Sequence, residues 1–477
     1  MKASEISGRY LSPIKVFVVF ALVFGIIFIF LTPPYQVSDE DNHFYRAYQL
    51  SELQLRGNKT QVGPGDTLPR RLLDTKNSFD YLAQQPTHKV DYDLVKAGLS
   101  RPLDSKDKVP IGFPNTVIYP PAPYVPSAIA IGILRHFEPP PLLLMYAARL
   151  CTFAAWFLLI YASIKITPVG KWAFCVFALM PMSLFTGASV SADAVTNGLS
   201  FLAVALFFRY AMTKDSLIRK DYLALFGVSA GLALCKPPYF LLAFLFLLLP
   251  IAKFKSKKRY LQFAGSLVLI ILVMLVGWAF VTKGLYANYR ITYDLANGQL
   301  IHAHQQAALI IHQPFEYIAT LYNTYFTGQG DARAVGFIGM LGWLAFLPFW
   351  SVLLGYGLIV VSLGWLGGEE EKNLVPLARW RKLLIAAIGI AGILAFSTLA
   401  YLTYTPLGKS SIDGIQGRYF IPLSVLLVAF FATKLRPKTL QLRKLSFWTT
   451  VGLGVMLVSS IIVIIFRYYV HSVVSAG

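Results

Sequence analysis

Long, uncharged apolar segments most constrain how this chain can fold. The first is Val16 to Leu31, and similar segments recur almost to the C-terminus. An α-helix needs about 20 mostly apolar residues to cross the hydrocarbon core of a bilayer. Only 14% of the residues are charged, against roughly 25% in soluble domains. The sequence therefore predicts an all-α polytopic membrane protein, with residues 1–477 forming a single integral membrane domain.

The net charge of +20 comes from short basic clusters between the apolar segments rather than from one patch. Nucleic-acid binding needs basic residues gathered on one face, whereas dispersed clusters beside apolar segments set membrane orientation. We therefore expect the lipid bilayer as a partner and no nucleic acid.

The basic clusters also bear on how often the chain crosses the membrane. The apolar run at 14–32 follows a basic flank and ends in Thr32-Pro33-Pro34 instead of a small-residue cleavage site, which predicts a retained first span with a cytoplasmic N-terminus. The segment at 119–135 is ambiguous, because four prolines fall between Pro120 and Pro126. If it does not cross, the later basic clusters all face the cytoplasm, whereas all are exported if it does. A proline-rich re-entrant or interfacial segment is therefore favoured, with about 11 spans in total.

The predicted layout has two large outer loops, and its boundaries are a first helix at 14–32, a first outer loop at 33–118, the proline-rich segment at 119–135, transmembrane helices 2–7 within 142–282, a second outer loop at 283–336 and transmembrane helices 8–11 within 340–466. The individual later spans are expected at 142–164, 172–190, 194–212, 222–235, 238–252, 260–282, 340–363, 383–404, 419–433 and 446–466.

The first outer loop opens with an acidic stretch, Ser38-Asp-Glu-Asp-Asn-His43. Ser38 and Asp41 have the spacing of a capping box, so we expect an interfacial helix to begin there. At 100° per residue, Asp39, His43 and Arg46 share one face of that helix, with Glu40 at its margin. The alternative is a charged helix start that simply faces solvent.

Further unusual residues lie on the same predicted face of the membrane. They are Tyr119, Arg149, Asp193, Lys236, Arg418 and Tyr419. An ionisable group near hydrocarbon costs about 2.5–3.5 kcal/mol and normally faces a polar cavity or a partner. Taken singly, Asp193 could cap a helix, Lys236 could snorkel to the interface and Arg418 could anchor the end of a span. Arg149, two turns into a span, is expected to pair with a carboxylate or a phosphate.

Taken together, these residues suggest an outward-facing site with carboxylates at one end and cations at the other. Arginine binds phosphate bidentately and lysine acts as a point charge, which suits a lipid phosphate. A carboxylate within reach of a hydroxyl can act as a general base. The pattern therefore indicates a transferase that uses a lipid-phosphate donor outside the cytoplasmic membrane, where nucleotide sugars and ATP are scarce.

Metal and disulfide sites are poorly supported by the sequence. His302, His304 and His312 could ligate zinc, but no Cys or carboxylate accompanies them at a recurrent metal-site spacing. The three cysteines lie in apolar segments and offer neither a disulfide framework nor a CxxC site. We predict no metal ligands, with a divalent metal ion left as an open alternative.

Five sequence blocks also occur in the order typical of one protein family. They are Pro-x-x-x-x-Asp-Glu-x-x-His-Phe-Tyr-Arg-Ala (34–47), the Tyr-Pro-Pro segment (119–121), Pro-Met-Ser-x-x-x-x-Ala-Ser-x-Ser-Ala-Asp (181–193), Cys-Lys-Pro-Pro-Tyr (235–239) and Gln-Gly-Arg-Tyr-Phe-x-Pro (416–422). These blocks resemble a bacterial membrane protein family catalogued as domain of unknown function 2142. That family is similar to the C-type (GT-C) glycosyltransferases, polytopic enzymes with a large first outer loop, an acidic motif after the first span and a polyprenyl-phosphate-linked sugar donor.

The resemblance implies a GT-C-like helix bundle and a role for each matched residue. Asp39 would be the base that activates the acceptor, with Glu40 in support, although the choice between the two is open. Asp193 would match a second acidic position, and Lys236 and Arg418 would hold the donor phosphate. The remaining substrate-binding candidates are His43, Arg46, Tyr119, Arg149 and Tyr419.

The predicted function is that of a membrane glycosyltransferase on the outer face of the bacterial cytoplasmic membrane. It would transfer a sugar from a polyprenyl-phosphate-linked donor to a cell-envelope glycan, lipid or protein. A lipid-linked polysaccharide ligase or polymerase is an alternative, and it would depend on outer-loop residues such as His302, His304 and Arg333. A non-enzymatic transporter or flippase is a third, disfavoured because the sequence has no internal repeat.

Overall fold

The computed structural model describes residues 11–214, 216–285, 301–327, 330–343, 345–366, 374–431 and 439–470. Most of these residues are helical. The α-helices are α1 (Pro13–Leu31), α2 (Glu40–Ser51), α3 (Arg70–Asn77), α4 (Tyr92–Ser100), α5 (Val125–Leu134), α6 (Pro141–Ile166), α7 (Lys171–Leu179), α8 (Pro181–Gly187), α9 (Ala192–Met212), α10 (Arg219–Ala233), α11 (Lys257–Val281), α12 (Ala303–His312), α13 (Pro314–Phe326), α14 (Gly330–Ile338), α15 (Phe349–Gly364), α16 (Arg379–Tyr404), α17 (Ile421–Ser424), α18 (Val428–Phe431) and α19 (Thr439–Tyr468). Short 3-10 helices include Ala122–Tyr124, Tyr239–Leu248 and Gly417–Phe420.

Within the described residues, six helices are long and apolar enough to cross a membrane. They are α1, α6, α9, α11, α16 and the Gln441–Tyr468 part of α19. The prediction of a multi-pass, mostly helical membrane protein is therefore confirmed, whereas the count of 11 spans is not shown.

The other five predicted spans are shorter or interrupted. The segment 172–190 divides into α7 and α8 at Met180, whose backbone is extended (φ −55°, ψ 137°). Pro181 follows it, and a proline disfavours helical geometry at the residue before it. Helix α10 has 15 residues, which corresponds to about 22 Å against a hydrocarbon core of about 30 Å.

The remaining three segments depart from a single long helix in different ways. The segment at 238–252 is largely the 3-10 helix Tyr239–Leu248. The segment at 340–363 opens with the two-stranded antiparallel hairpin β4 (Met340–Leu341) and β5 (Ala345–Phe346) before α15. The segment at 419–433 is a series of short helical turns that the structure describes as far as residue 431.

The proline-rich segment predicted at 119–135 contains a 3-10 turn and then α5, a helix of 10 residues. Ten residues rise about 15 Å, half the thickness of the hydrocarbon core. Helix α5 packs against both α2 and α6.

The first outer loop contains a three-stranded antiparallel sheet that the sequence did not predict. Its strands are β1 (Asn58–Thr60), β2 (Gly63–Pro69) and β3 (Lys108–Gly112), in that order across the sheet. A Cβ atom on Gly65 would lie 1.9 Å from the Ile111 carbonyl oxygen, so only glycine permits this strand separation. Asp66 of β2 accepts a hydrogen bond from Gln49 Nε2 at 2.6 Å, which fastens the sheet to α2.

Helix α2 forms where the sequence predicted a helix, but it begins one residue later than the predicted cap at Ser38 implied. It begins at Glu40, most of its side chains are buried, and the capping box between Ser38 and Asp41 does not form. The residue before the helix is Asp39, whose left-handed backbone (φ 64°, ψ 12°) is tolerated by aspartate better than by most residues. The Asp39 side chain makes no capping bond because it points to partners elsewhere in the fold.

Helices α6 and α9 form the centre of the bundle. Gly198 of α9 faces Leu159 of α6, and a Cβ atom there would lie only 2.7 Å from the Leu159 side chain. Asp193 lies in the first turn of α9, where it pairs with Arg418, the same residue that Asp39 contacts.

Candidate functional site

Four charged side chains from four separate segments form a continuous series of ion pairs. Asp39 Oδ2 lies 3.4 Å from Arg418 Nη2, and Arg418 Nε lies 3.3 Å from Asp193 Oδ2. Lys236 Nζ donates to Asp193 Oδ1 at 2.6 Å. The structure therefore brings together four of the predicted site residues, and we call them the ion-pair cluster.

The members of the ion-pair cluster differ in exposure. The side chains of Arg418, Asp193 and Lys236 are 3%, 5% and 6% exposed, whereas that of Asp39 is 35% exposed. Charges that are buried lose their contact with water, and close pairing with an opposite charge offsets that cost. Asp39 is thus the carboxylate of the cluster that a ligand can reach from solvent.

A cavity of about 110 Å³ lies beside the cluster, and we call it the Lys236 cavity. Its walls are formed by Asn115, Ile118, Tyr119, Pro120, Lys236, Pro237, Trp278, Phe396, Leu399, Ala400, Thr403, Tyr404, Gly414, Ile415 and Tyr419. Lys236 Nζ lies 5.5 Å from the ring centre of Tyr119 and 5.0 Å from that of Tyr419. Aromatic walls with a few convergent polar groups are typical of small-molecule sites.

Tyr119 and Tyr419 therefore both line the cavity, as neighbours of Lys236. The Tyr419 ring stacks on Phe396 with 5.7 Å between centres, and its carbonyl accepts a hydrogen bond from the Tyr239 hydroxyl at 2.9 Å. Burial raises the pKa of Tyr119 well above its ordinary value, so its hydroxyl stays protonated. Both rings are held in place as walls of the cavity.

Asn115 was not identified from the sequence, yet it contacts Asp39 directly. Its Nδ2 donates to Asp39 Oδ1 at 3.2 Å, so Asp39 is held by Asn115 on one oxygen and by Arg418 on the other. Asn115 is an amide in a polar loop, 76 residues from Asp39 along the chain. No motif or periodicity marks it.

Glu40 and Arg149 are paired with each other away from the cavity. Both side chains are 0% exposed, with Arg149 Nε 2.8 Å from Glu40 Oε1 and Nη2 2.5 Å from Oε2. Arg149 also donates to the carbonyl oxygens of Ile29, Thr32 and Pro33 at the end of α1. Their side chains are occupied by protein partners, so we do not place the predicted supporting base or the predicted substrate-binding arginine at the reacting centre.

His43 and Arg46 do not line the Lys236 cavity but lie next to Tyr119, which does. His43 Nδ1 lies 2.7 Å from the Tyr124 hydroxyl. Burial of the imidazole lowers its pKa to about 3, and the positive charge of Lys236 is the second cause of this shift. His43 is therefore neutral at physiological pH. Arg46 donates to the carbonyl oxygen of Tyr119 at 3.1 Å, which positions that residue for the cavity.

Metal ligation finds no support among the residues that the structure describes. Within them, no group of three or more His, Cys, Asp or Glu side chains is placed to hold a metal ion. His302 and His304 are exposed on α12 or at its start. Residues 286–300 and 328–329 of the predicted second outer loop lie outside the described residues.

Comparison with known proteins gives a family and a distant structural likeness. Residues 22–427 match the family described as predicted membrane protein (DUF2142). No protein of curated function matches the chain. The crystal structure of ArnT from Cupriavidus metallidurans in the apo state resembles this chain with a TM-score of 0.39 and 14% sequence identity, over 95% of this chain and 76% of that one.

Proposed function

The chain belongs to the DUF2142 family of predicted membrane proteins, and on that premise we propose that it is a membrane glycosyltransferase. It moves a sugar from a polyprenyl-phosphate-linked donor to a cell-envelope glycan, lipid or protein acceptor, on the outer face of the bacterial cytoplasmic membrane. The resemblance of the Asp39 motif to that of GT-C glycosyltransferases supports this reaction class. The observation that carries the proposal is the ion-pair cluster, in which one partly exposed carboxylate pairs with a buried guanidinium.

Asp39 is proposed as the general base. It accepts the proton of an acceptor hydroxyl while that oxygen forms a bond to the anomeric carbon of the donor sugar. The bond between the anomeric carbon and the phosphate oxygen breaks, and polyprenyl phosphate leaves with the electron pair. Asn115 and Arg418 each hold one oxygen of Asp39, which fixes the carboxylate for proton transfer.

Arg418 and Lys236 are proposed to bind the donor phosphate. A sugar phosphodiester carries one negative charge, and the departing phosphate monoester gains a second as Asp39 loses its own by protonation. Negative charge therefore moves from Asp39 to the phosphate during the reaction. Arg418 contacts Asp39. When Asp39 becomes protonated it no longer attracts the Arg418 guanidinium, which is then free to bind the more negative phosphate. Its stabilisation of the phosphate is thus greatest in the transition state, as catalysis requires.

An apolar groove of about 760 Å³ supports a lipid-linked donor. We call it the Arg333 groove, and its walls are Ile318, Leu321, Tyr322, Tyr325, Phe326, Arg333, Ala334, Phe337, Tyr356, Ile390, Ile393, Leu394 and Phe420. Tyr419 lines the Lys236 cavity and Phe420 lines this groove. Arg418 is therefore within two residues of both, so a phosphate bound by Arg418 would lie between the groove for the polyprenyl tail and the cavity beside Asp39.

The proposed topology retains 11 crossings, with the short and broken segments crossing in protein-lined surroundings where irregular backbone is tolerated. In this arrangement the ion-pair cluster faces outwards. The basic clusters, including Lys257, Lys258 and Arg259 at the start of α11, face the cytoplasm.

The function is tested by Asp39→Asn in protein reconstituted with envelope lipids and a radiolabelled polyprenyl-phosphate sugar. We expect transfer of label to be lost while insertion and melting temperature stay at wild-type values. Asp41→Asn is the matched control, since Asp41 is a neighbouring carboxylate that contacts Lys76 and not the ion-pair cluster, and it should retain transfer.

Three other outcomes would contradict the assignment. Full transfer by Asp39→Asn would remove Asp39 as the base. Loss of transfer on alanine substitution of His302 and His304, with Asp39→Asn active, would favour a ligase or polymerase. Passage of the labelled lipid across the vesicle without chemical change would favour a flippase.

A further inference from the structure

Asn115 is held rigidly against the Lys236 cavity. The neighbouring Thr116 hydroxyl donates to the Asn42 carbonyl of α2 at 2.7 Å, and the Phe113 amide donates to the Pro64 carbonyl of β2 at 3.0 Å. Asn115 itself is 9% exposed and lines the cavity. Its amide group is therefore fixed between the helix and the sheet of the outer loop.

The orientation of this amide follows from its partner. An ionised carboxylate only accepts hydrogen bonds, so the NH₂ group must face Asp39 and the carbonyl oxygen must face away. Asn115 Oδ1 is buried and has no hydrogen-bond partner among the described residues. A buried acceptor left unpaired destabilises the protein, and a hydrogen bond from a ligand hydroxyl would remove that cost.

The position of this free acceptor limits the ligand. Asp39 is proposed to take the proton of the reacting hydroxyl. Asn115 Oδ1 lies close to Asp39, because the Nδ2 atom of the same amide group donates a hydrogen bond to Asp39. A ligand that satisfies both groups needs two neighbouring O–H donors. A serine or threonine side chain offers a single hydroxyl, whereas adjacent hydroxyls are the rule on a sugar ring.

The walls of the cavity suit the same class of ligand. Five aromatic rings surround it, those of Tyr119, Trp278, Phe396, Tyr404 and Tyr419. A pyranose presents hydroxyls at its edge and C–H groups on its faces, so it can contact flat aromatic walls while its edge meets Asp39 and Asn115.

We propose that the Lys236 cavity binds the acceptor as a glycan end, with Asn115 Oδ1 accepting a hydrogen bond from the hydroxyl next to the reacting one. This inference rests on the proposed function for the role of Asp39. It narrows the acceptor from glycan, lipid or protein to a sugar ring with vicinal hydroxyls, and it makes Asn115 a residue that determines acceptor specificity.

The test is binding of methyl hexopyranosides and their monodeoxy analogues to the full-length protein in nanodiscs, followed by calorimetry. We expect at least one glycoside to bind about 10-fold or more tightly than one of its deoxy analogues, since one hydrogen bond to a buried acceptor has that order of effect. In Asn115→Leu the two ligands should bind equally weakly. In Asn58→Leu, which also removes an amide donor to an aspartate, Asp66, but outside the cavity, the preference should persist.

The inference is overturned if every deoxy analogue binds to the wild-type protein as well as its parent, a result that does not depend on any variant folding. It is also overturned if the preference survives in Asn115→Leu. Failure of the proposed function would show differently, as transfer by Asp39→Asn, a result that is independent of the binding ratios measured on the wild-type protein. Transfer that depends on Asp39, together with absent hydroxyl selectivity, would reject the glycan inference alone.

Discussion

At the scale of single residues, Asp39 and Glu40 show how two adjacent carboxylates take different positions. The left-handed backbone of Asp39 ends the preceding turn, so its side chain meets Asn115 and Arg418 while Glu40 turns inwards to Arg149. The sequence placed charges at this membrane boundary, and the cost of such charges predicted a site there. It could not separate the two carboxylates, because the partner of Glu40 lies 109 residues further along the chain.

The buried pair gives a prediction about stability that contrasts with the one for Asp39. Glu40→Gln leaves the Arg149 guanidinium without its counter-charge, and breaking one partner of a buried pair costs about 3–5 kcal/mol. We expect a clearly lower melting temperature for Glu40→Gln in detergent and little change for Asp39→Asn, whose side chain is partly exposed. Equal melting temperatures for the two variants would show that Glu40 does not hold the fold as described.

Asp41 provides a pH-dependent prediction. Burial raises the pKa of this carboxyl from 3.8 to about 6, with Lys76 only partly opposing the shift. Because its pKa is higher in the folded state, the Asp41 carboxyl contributes to the stability of the folded protein below about pH 4. This contribution is lost as the pH rises through about 6. Asp41→Asn should therefore be more stable than wild type at pH 7.5, by about 1–3 kcal/mol from the usual 1.4 kcal/mol per pKa unit. Melting curves at pH 7.5 and pH 4 test this, and a gap that stayed constant with pH would refute it.

At the scale of elements, the sheet of the first outer loop was hidden from the sequence for a physical reason. Strand β2 reads Gly-Pro-Gly-Asp-Thr-Leu-Pro, which lacks the alternating β-branched and aromatic residues by which strands are recognised. Gly65 lets the backbone of β3 approach closely, and it has no side chain that could pack against the core. The long apolar helices, by contrast, were predictable because membrane thickness fixes their length.

Gly65→Ala tests the role of this sheet in holding α2. The added Cβ would meet the Ile111 carbonyl oxygen at 1.9 Å, so β2 and β3 must separate and the Gln49–Asp66 hydrogen bond should weaken. We expect faster proteolysis of the outer loop and a lower melting temperature. Gly227→Ala in α10 is the control, because nothing lies within 4 Å of its Cβ position and alanine favours a helix by about 0.5–1 kcal/mol. Equal proteolysis of the two variants would contradict the tight strand pairing.

At the scale of the whole molecule, the ion-pair cluster joins distant parts of the chain. Asp193, Lys236 and Arg418 were recognisable singly because each is a charge at a predicted membrane boundary, and Asp39 because it belongs to the acidic stretch that follows the first span. Their pairing, and the place of the Lys236 cavity between them and α16, depends on packing of helices far apart in sequence. The apolar runs that became short or broken helices were ambiguous, since periodicity alone does not separate a buried short element from a span.

The orientation of the molecule in the membrane depends on the segment at 119–135, and it can be tested with single cysteines. Ser100 and Lys258 are both exposed, the first at the end of α4 in the outer loop and the second at the start of α11. If 119–135 does not cross, the two positions lie on opposite sides of the membrane, whereas they lie on the same side if it does. With the three native cysteines replaced, a membrane-impermeant maleimide applied to intact cells should label Ser100→Cys at once and Lys258→Cys only after lysis. Equal labelling of both in intact cells would place the basic clusters outside, against the positive-inside rule, and would show that a segment containing the 10-residue helix α5 crosses the bilayer.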